Sequence, residues 1–407
     1  MQIIPTLNTL RRNPSTTILL MLQAILTIAI VANLSALIVD RINDINIDSG
    51  INEEGLIVLD MYHFAEDFNG EMTLNRDIES LTQLPSISHV SATNQVPFSG
   101  SGSSGAYSIQ PTSSDETTYV NAATYRADHY LAETLGLNIS HGRSFTAEEV
   151  MTFDEAAEQA SIPAVISGPL AEEAFGRINV VGEVMYMPET GDVPIEIIGV
   201  AETFMSPWPK WRGMSENSIW FARKPSNSNF KTLAIRTEGI SYAEAQRLIS
   251  ETIYTNDRSR VIVGFENYEQ MRDRQFDIDH ALLFSLSLII VLLIGVISLG
   301  SVGMAVFNVE RRTKQIGTRR ALGASKRSIV SLFCLESGVL LGVSLVLAVP
   351  VAMLLNVQLM NMISIDSMSV VYPLGVGLAL IVVSLIGILY PALKASLVPP
   401  SVATRTL

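Results

Sequence analysis

Four long apolar runs punctuate the chain, at residues 18–39, 281–307, 329–355 and 370–389, and together they hold one acidic or basic side chain, Glu336. The first run has 22 residues, and a helix of that length spans roughly 33 Å at ~1.5 Å per residue, enough to cross hydrocarbon. Between the first and second runs the pattern changes. Short apolar segments separated by polar turns predict strands at 56–60, 87–95, 119–125, 162–167, 193–201, 232–237 and 260–265, with helices at 75–83, 128–135, 169–175 and 242–253. Residues 98–114, rich in Gly, Ser and Pro, read as a mobile loop. Residues 266–279 should be helical and lead straight into the second run. With 40–47 after the first run, they would form an antiparallel stalk. The expected fold is a four-span α-helical membrane protein with an α+β domain between spans one and two.

Charge sharpens this picture. The protein has a formal charge of −13 over 407 residues, yet 40–279 alone carries 37 acidic against 16 basic residues. The opposite balance is concentrated at 308–328, where Arg311, Arg312, Lys314, Arg319, Arg320, Lys326 and Arg327 face one carboxylate, Glu310. Basic loops stay cytoplasmic because Lys and Arg resist translocation. The expected domains are therefore a cytoplasmic segment 1–17, spans 18–39, 281–307, 329–355 and 370–389, an outer domain 40–279, a cytoplasmic loop 308–328 and a tail 390–407. Basic residues followed by an apolar run also describe a secretory signal peptide. The length of 18–39 and the lack of a small-x-small pattern after it favour a retained span with its amino end inside.

The order of residues in the basic loop says more than its charge. From 310 to 327 it reads Glu-Arg-Arg-Thr-Lys-Gln-Ile-Gly-Thr-Arg-Arg-Ala-Leu-Gly-Ala-Ser-Lys-Arg. This closely resembles the cytoplasmic loop of ABC transporter permeases of the FtsX and MacB type, with Gln315 and Thr318 standing where acidic and aliphatic residues are common. Two further phrases resemble the same family: Leu-Gly-Leu-Asn-Ile-Ser-His-Gly-Arg-Ser-Phe-Thr-Ala-Glu-Glu at 135–149 and the closing Pro-Ala-Leu-Lys-Ala at 391–395.

The resemblance implies that the loop is a short coupling helix gripped by a separate ATPase, through Glu310, Arg311, Lys314, Ile316, Gly317, Arg319, Arg320, Ala321, Leu322 and Gly323. The residues themselves allow about three helical turns from Arg311 to Leu322, with Gly323 as the stop. Ile316, Arg319, Arg320 and Gly323, at spacings of three and four, would share one face suited to a groove on a partner. The resemblance also implies a two-lobed outer domain with an insert at about 138–230, and a dimer with a second copy or a related permease. Its further expected partners are the ABC ATPase dimer, a periplasmic membrane-fusion adaptor, a TolC-like outer-membrane channel and membrane lipid. Export of a peptide or antibiotic is the expected role; lipoprotein release and FtsX-like control of cell-wall hydrolases are alternatives on the same chassis.

The remaining candidates are few. No Gly-Lys dipeptide occurs, so a Walker phosphate loop is missing, and ATP and Mg are expected in the partner with no cofactor in this chain. The five histidines show no metal-ligand spacing, the single Cys334 excludes a disulfide framework, and the acidic balance argues against nucleic acid. Glu336 reads either as a proton relay or as a packed or snorkelling carboxylate. Gly338 and Gly342, four apart, could let helices approach closely. Trp208, Trp211 and Trp220 could form a ligand surface or a core.

Overall fold

The computed structural model describes residues 14–65, 69–111, 118–152, 155, 159–188, 193–223, 229–363 and 367–397. The expected cytoplasmic segment before residue 14, and the tail beyond 397, lie outside them. The chain divides into two compact units, residues 46–278 and the remainder. It opens on α1 (Pro14–Ile45), which carries the first apolar run.

The unit 46–278 is one mixed sheet flanked by short helices. In chain order come β1 (Leu56–His63), α2 (Gly70–Thr82), β2 (Ile87–Thr93), β3 (Ser104–Tyr107) and β4 (Val120–Ala127). They are followed by α3 (Leu131–Leu135), β5 (Ile139–Gly142), β6 (Ile162–Ser167), α4 (Gly168–Phe175), β7 (Val184–Tyr186) and β8 (Pro194–Ala201). Then come β9 (Ser218–Ala222), β10 (Phe230–Thr237), α5 (Tyr242–Asn256) and β11 (Arg260–Asn267). Local chemistry sets the helix starts. Asn69 and Ser241 accept hydrogen bonds from the backbone N–H groups of Met72 (3.0 Å) and Glu244 (3.3 Å), and Ser167 caps α4 ahead of Pro169.

The sheet runs β11-β1-β10-β2-β4-β9-β6-β8-β5, with β3 on β4 and β7 on β8. Its packing is double. One core joins α2 and α5 to the β1, β2 and β10 face through Leu59, Leu74, Leu81, Val90, Leu233 and Ile249. The other gathers Ile166, Leu170, Ile197, Ile219 and Phe221, and also draws on Tyr107, Val120 and Ala122, upstream of residue 138. Between them β2 and β4 share a single ladder pair, Thr93 with Ala127. A buried ion pair, Arg260 to Asp77 (2.9 Å from Nη2 to Oδ1), ties β11 to α2.

Two expectations change here. The stretch read as a mobile loop at 98–114 contains β3, paired with β4 from Ser104 to Tyr107; its last residues, 112–114, lie outside the described ones. Its small residues serve close approach, since a Cβ on Gly102 would collide with the Gln95 side chain. The three tryptophans separate: Trp220 is buried against Phe145 at 4.7 Å between centroids, whereas Trp208 and Trp211 meet edge to face at 5.8 Å. Trp208 Nε1 donates to Gly100 O (3.0 Å), so it fastens the Gly/Ser stretch.

The chain continues with α6 (Tyr268–Ala321), whose residues from Asp279 onward belong to the other unit, followed by α7 (Lys326–Ile363) and α8 (Val371–Ser396). Four helices, Thr17–Ile45, Tyr268–Ala321, Lys326–Met362 and Val371–Ser396, are long and apolar enough to cross a membrane, and each carries one of the four apolar runs, the last without residue 370. Asn33 ties α1 to α7 by donating to Ala29 O (2.9 Å) and Ala352 O (3.1 Å). Arg41 bridges Asp44 (3.2 Å) and Asp279 (3.6 Å), joining α1 to α6 where the stalk was expected.

Candidate functional site

The basic stretch is the end of α6. It is helical as expected, but as the last turns of a 54-residue helix rather than a separate short segment. The apolar span and the charged turns after it contain no proline, so every residue keeps the N–H that the hydrogen-bond ladder needs. Gly323 ends it: at φ +93° it takes the left-handed conformation that glycine adopts without Cβ strain. Its N–H donates to Arg320 O (3.1 Å) and the Ala324 N–H to Arg319 O (3.0 Å), a Schellman closure. Ser325 then caps α7 by accepting from the Ser328 N–H (3.2 Å).

This geometry sorts the expected coupling residues into two faces. Glu310, Arg311, Lys314, Arg319, Ala321, Leu322 and Gly323 are exposed, Leu322 at 83%. Ile316 and Gly317 are buried, and Ile316 packs with Phe333, Ile388 and Ala392 of α7 and α8. The shared face of Ile316 with Arg319 is therefore corrected: Ile316 turns inward, and the apolar group presented outward is Leu322. Arg320 follows Ile316 by one turn and donates to Ser396 O (2.7 Å), holding the carbonyl end of α8. Arg319 lies about 100° round the helix and points out.

In the sequence Arg312 stands out only as part of the basic charge. Its guanidinium makes a two-pronged pair with Glu336, Nη1 to Oε2 at 2.8 Å and Nη2 to Oε1 at 3.1 Å. The two side chains are only 17% and 10% exposed. The pair settles Glu336 as a packed carboxylate clasping α7 to α6. The available signal was the isolated charge itself, because a carboxylate at membrane depth needs a cation within reach.

Gly338 and Gly342 are corrected as a packing pair within the chain, since a Cβ at either would meet no atom within 4 Å. The close approach is at Gly377 of α8, where a Cβ would collide with Leu345 of α7.

Lys326 and Arg327 are exposed on the first turn of α7, where the helix dipole disfavours cations. Local stability does not account for them. The outward face thus carries positive charge beyond what its own helices need.

The profile of the MacB-like periplasmic core domain matches residues 19–252, and that of the FtsX-like permease C-terminal matches residues 285–400. The chain belongs to the MacB/FtsX-type ABC permease family. The basic turns of this permease lie inside the FtsX-like segment. It is 25% identical over 291 residues to the macrolide export ATP-binding/permease protein MacB of Agrobacterium fabrum, covering 68% of this chain and 42% of that one. To the uncharacterized ABC transporter permease YknZ of Bacillus subtilis it is 26% identical over 217 residues, covering 50% and 49%. The permease thus spans less than half the length of these relatives. The crystal structure of the periplasmic region of MacB from Actinobacillus actinomycetemcomitans overlays at a TM-score of 0.34 with 12% identity, covering 55% of this chain and 94% of that one.

Proposed function

We propose that this permease receives the motion of a separate ABC ATPase dimer at the end of α6 and passes it to the domain at 46–278. The observation that carries this is the division of the α6 terminus into a cationic outward face and an anchored inward one. Arg311, Lys314, Arg319 and Leu322 offer charge and an apolar tip to a partner groove. Behind them Arg312, Ile316 and Arg320 fix the helix to α7 and α8. A push on the outer residues then moves a seated helix instead of unwinding a loose one. Because α6 continues unbroken from Tyr268, displacement at one end is carried along one hydrogen-bonded rod.

In this reading both termini and the basic turns are cytoplasmic, the domain at 46–278 is on the far side of the inner membrane, and ATP and Mg bind only to the partner. Exposed apolar side chains along α6, Phe284, Val291 and Leu299 among them, support packing against lipid or a second permease copy. The macrolide-export names of the MacB relatives support export; a peptide, antibiotic or similar substrate, and the use of an adaptor and an outer-membrane channel, belong to the same proposal.

The test is Arg311→Glu with Arg319→Glu, both exposed and outside the clasp. The variant should insert normally, shown by an impermeant label failing to reach the basic turns in sealed cells, and should lose co-purification with the ATPase. Retained co-purification, or labelling from outside, overturns the proposal.

A further inference from the structure

The connection from β8 to β9 has no part in the coupling described above. From 204 to 215 it reads Phe-Met-Ser-Pro-Trp-Pro-Lys-Trp-Arg-Gly-Met-Ser, two tryptophans beside two cations with no carboxylate, inside a strongly acidic domain. Lys210, Trp211 and Arg212 are exposed, Trp211 at 58%.

The loop is built to hold that indole out. Successive turns shape its tip: the Trp211 N–H donates to Trp208 O (3.1 Å), and the Met214 and Ser215 N–H groups donate to Trp211 O (3.0 and 2.9 Å). Its base is clamped on two sides. Pro207 O accepts from the Gly100 N–H (2.9 Å), and Trp208 Nε1 donates to Gly100 O (3.0 Å). Lys210 Nζ donates to Gln275 O on α6 (2.7 Å) and lies over the Phe276 ring, 5.2 Å from its centroid. Phe276 in turn meets Phe98 edge to face at 5.9 Å. The loop has thus lost its conformational freedom before any partner arrives, which lowers the cost of binding one.

The position of the clamp along α6 indicates that partner. Gln275 precedes by six residues the apolar run that starts at 281, ~9 Å of helical rise at ~1.5 Å per residue. A bilayer carries roughly 5–7 Å of headgroup layer on each side of its hydrocarbon, so a side chain anchored at this level reaches the headgroups. Indole rings concentrate in that layer, where their apolar body and polar N–H are both accommodated. Lys and Arg serve the same layer, by pairing with lipid phosphate while their stems stay on apolar surface.

We propose that residues 208–212 form a membrane-interface anchor, with Trp211 seated among phospholipid headgroups and Lys210 and Arg212 beside lipid phosphate. The partner is the bilayer that α6 crosses, and the anchor pins the β8–β9 connection to it. The proposal needs that crossing and nothing of the coupling reading, so it is tested without nucleotide or ATPase.

The full-length permease is reconstituted in phosphatidylcholine nanodiscs, with and without a share of lipid bearing a nitroxide on its headgroup, and its tryptophan emission is recorded. Trp220, buried in the domain, contributes to the background. Trp211→Phe keeps an aromatic ring at an exposed position and should fold, which an unchanged melting temperature verifies; Trp211→Tyr replaces it should that temperature fall. The expected result is quenching of the native chain by the nitroxide lipid, with the quenched share about twofold smaller in the variant, as an interfacial indole requires. Equal lipid quenching of native chain and folded variant overturns the proposal. So does quenching of Trp211 by acrylamide in the water with none from the lipid, which leaves the loop in solvent. Shielding from both quenchers overturns it too, and assigns Trp211 to a protein contact.

Discussion

The Arg312–Glu336 clasp gives the most quantitative test of how the α6 terminus is seated. Glu336→Ala removes both charge-assisted hydrogen bonds and leaves a guanidinium that is 17% exposed without its partner. Removing one member of a fully buried pair costs about 3–5 kcal/mol. The long Arg312 side chain is not fully buried and can swing toward water, so the lower end, about 3 kcal/mol, is expected. A double-mutant cycle with Arg312→Ala, Glu336→Ala and both together isolates the pair itself, expected at about 1.5–3 kcal/mol for hydrogen bonds between charged groups. The assay is reversible denaturant unfolding of the reconstituted permease. A coupling energy below about 0.5 kcal/mol, the scatter expected of independent sites, would refute the reasoning and leave Ile316 and Arg320 as the anchors.

Two further outcomes follow from packing and from titration. Gly377→Ala should destabilise the permease by about 1–3 kcal/mol through overpacking against Leu345, while Gly338→Ala should stay within about 0.5 kcal/mol; thermal unfolding of the two variants compares them, and equal loss would contradict the assigned contacts. In the outer domain, Arg143 donates to both carboxylate oxygens of Glu149 at 2.7 Å and lowers its pKa from 4.5 to about 2. A depressed carboxylate stabilises above its unfolded value and loses that contribution as pH falls from about 4.5 toward 2. Glu149→Gln should therefore flatten the acid dependence of stability in that window, and an unchanged acid melting profile would count against it.

The spans and the strand pattern were legible because period and charge-free length act locally. Runs such as 281–307 have no other good environment, and the caps at Ser167 and Gly323 are written in the residues beside them. What could not be read was rotation about the helix axis. Ile316, Arg319 and Arg320 are neighbours in sequence, and which of them turns inward depends on α7 and α8, which arrive later in the chain. The same holds for Gly338 and Gly377. Glycine marks a possible contact, and only the opposing side chain, Leu345 for one and none for the other, decides whether it is used.

The single rung between Thr93 and Ala127 has a mechanical consequence. Few backbone bonds resist sliding or twisting of one half of the sheet against the other, whereas each half is stiffened by its own packed interior. Side chains stitch the seam instead: Asn94 accepts from the Arg126 N–H (2.7 Å) and donates to Thr124 O (3.1 Å), while Asp128 accepts from the Ala92 N–H (2.8 Å). Two polar residues thus rivet a joint that strand pairing alone would leave thin.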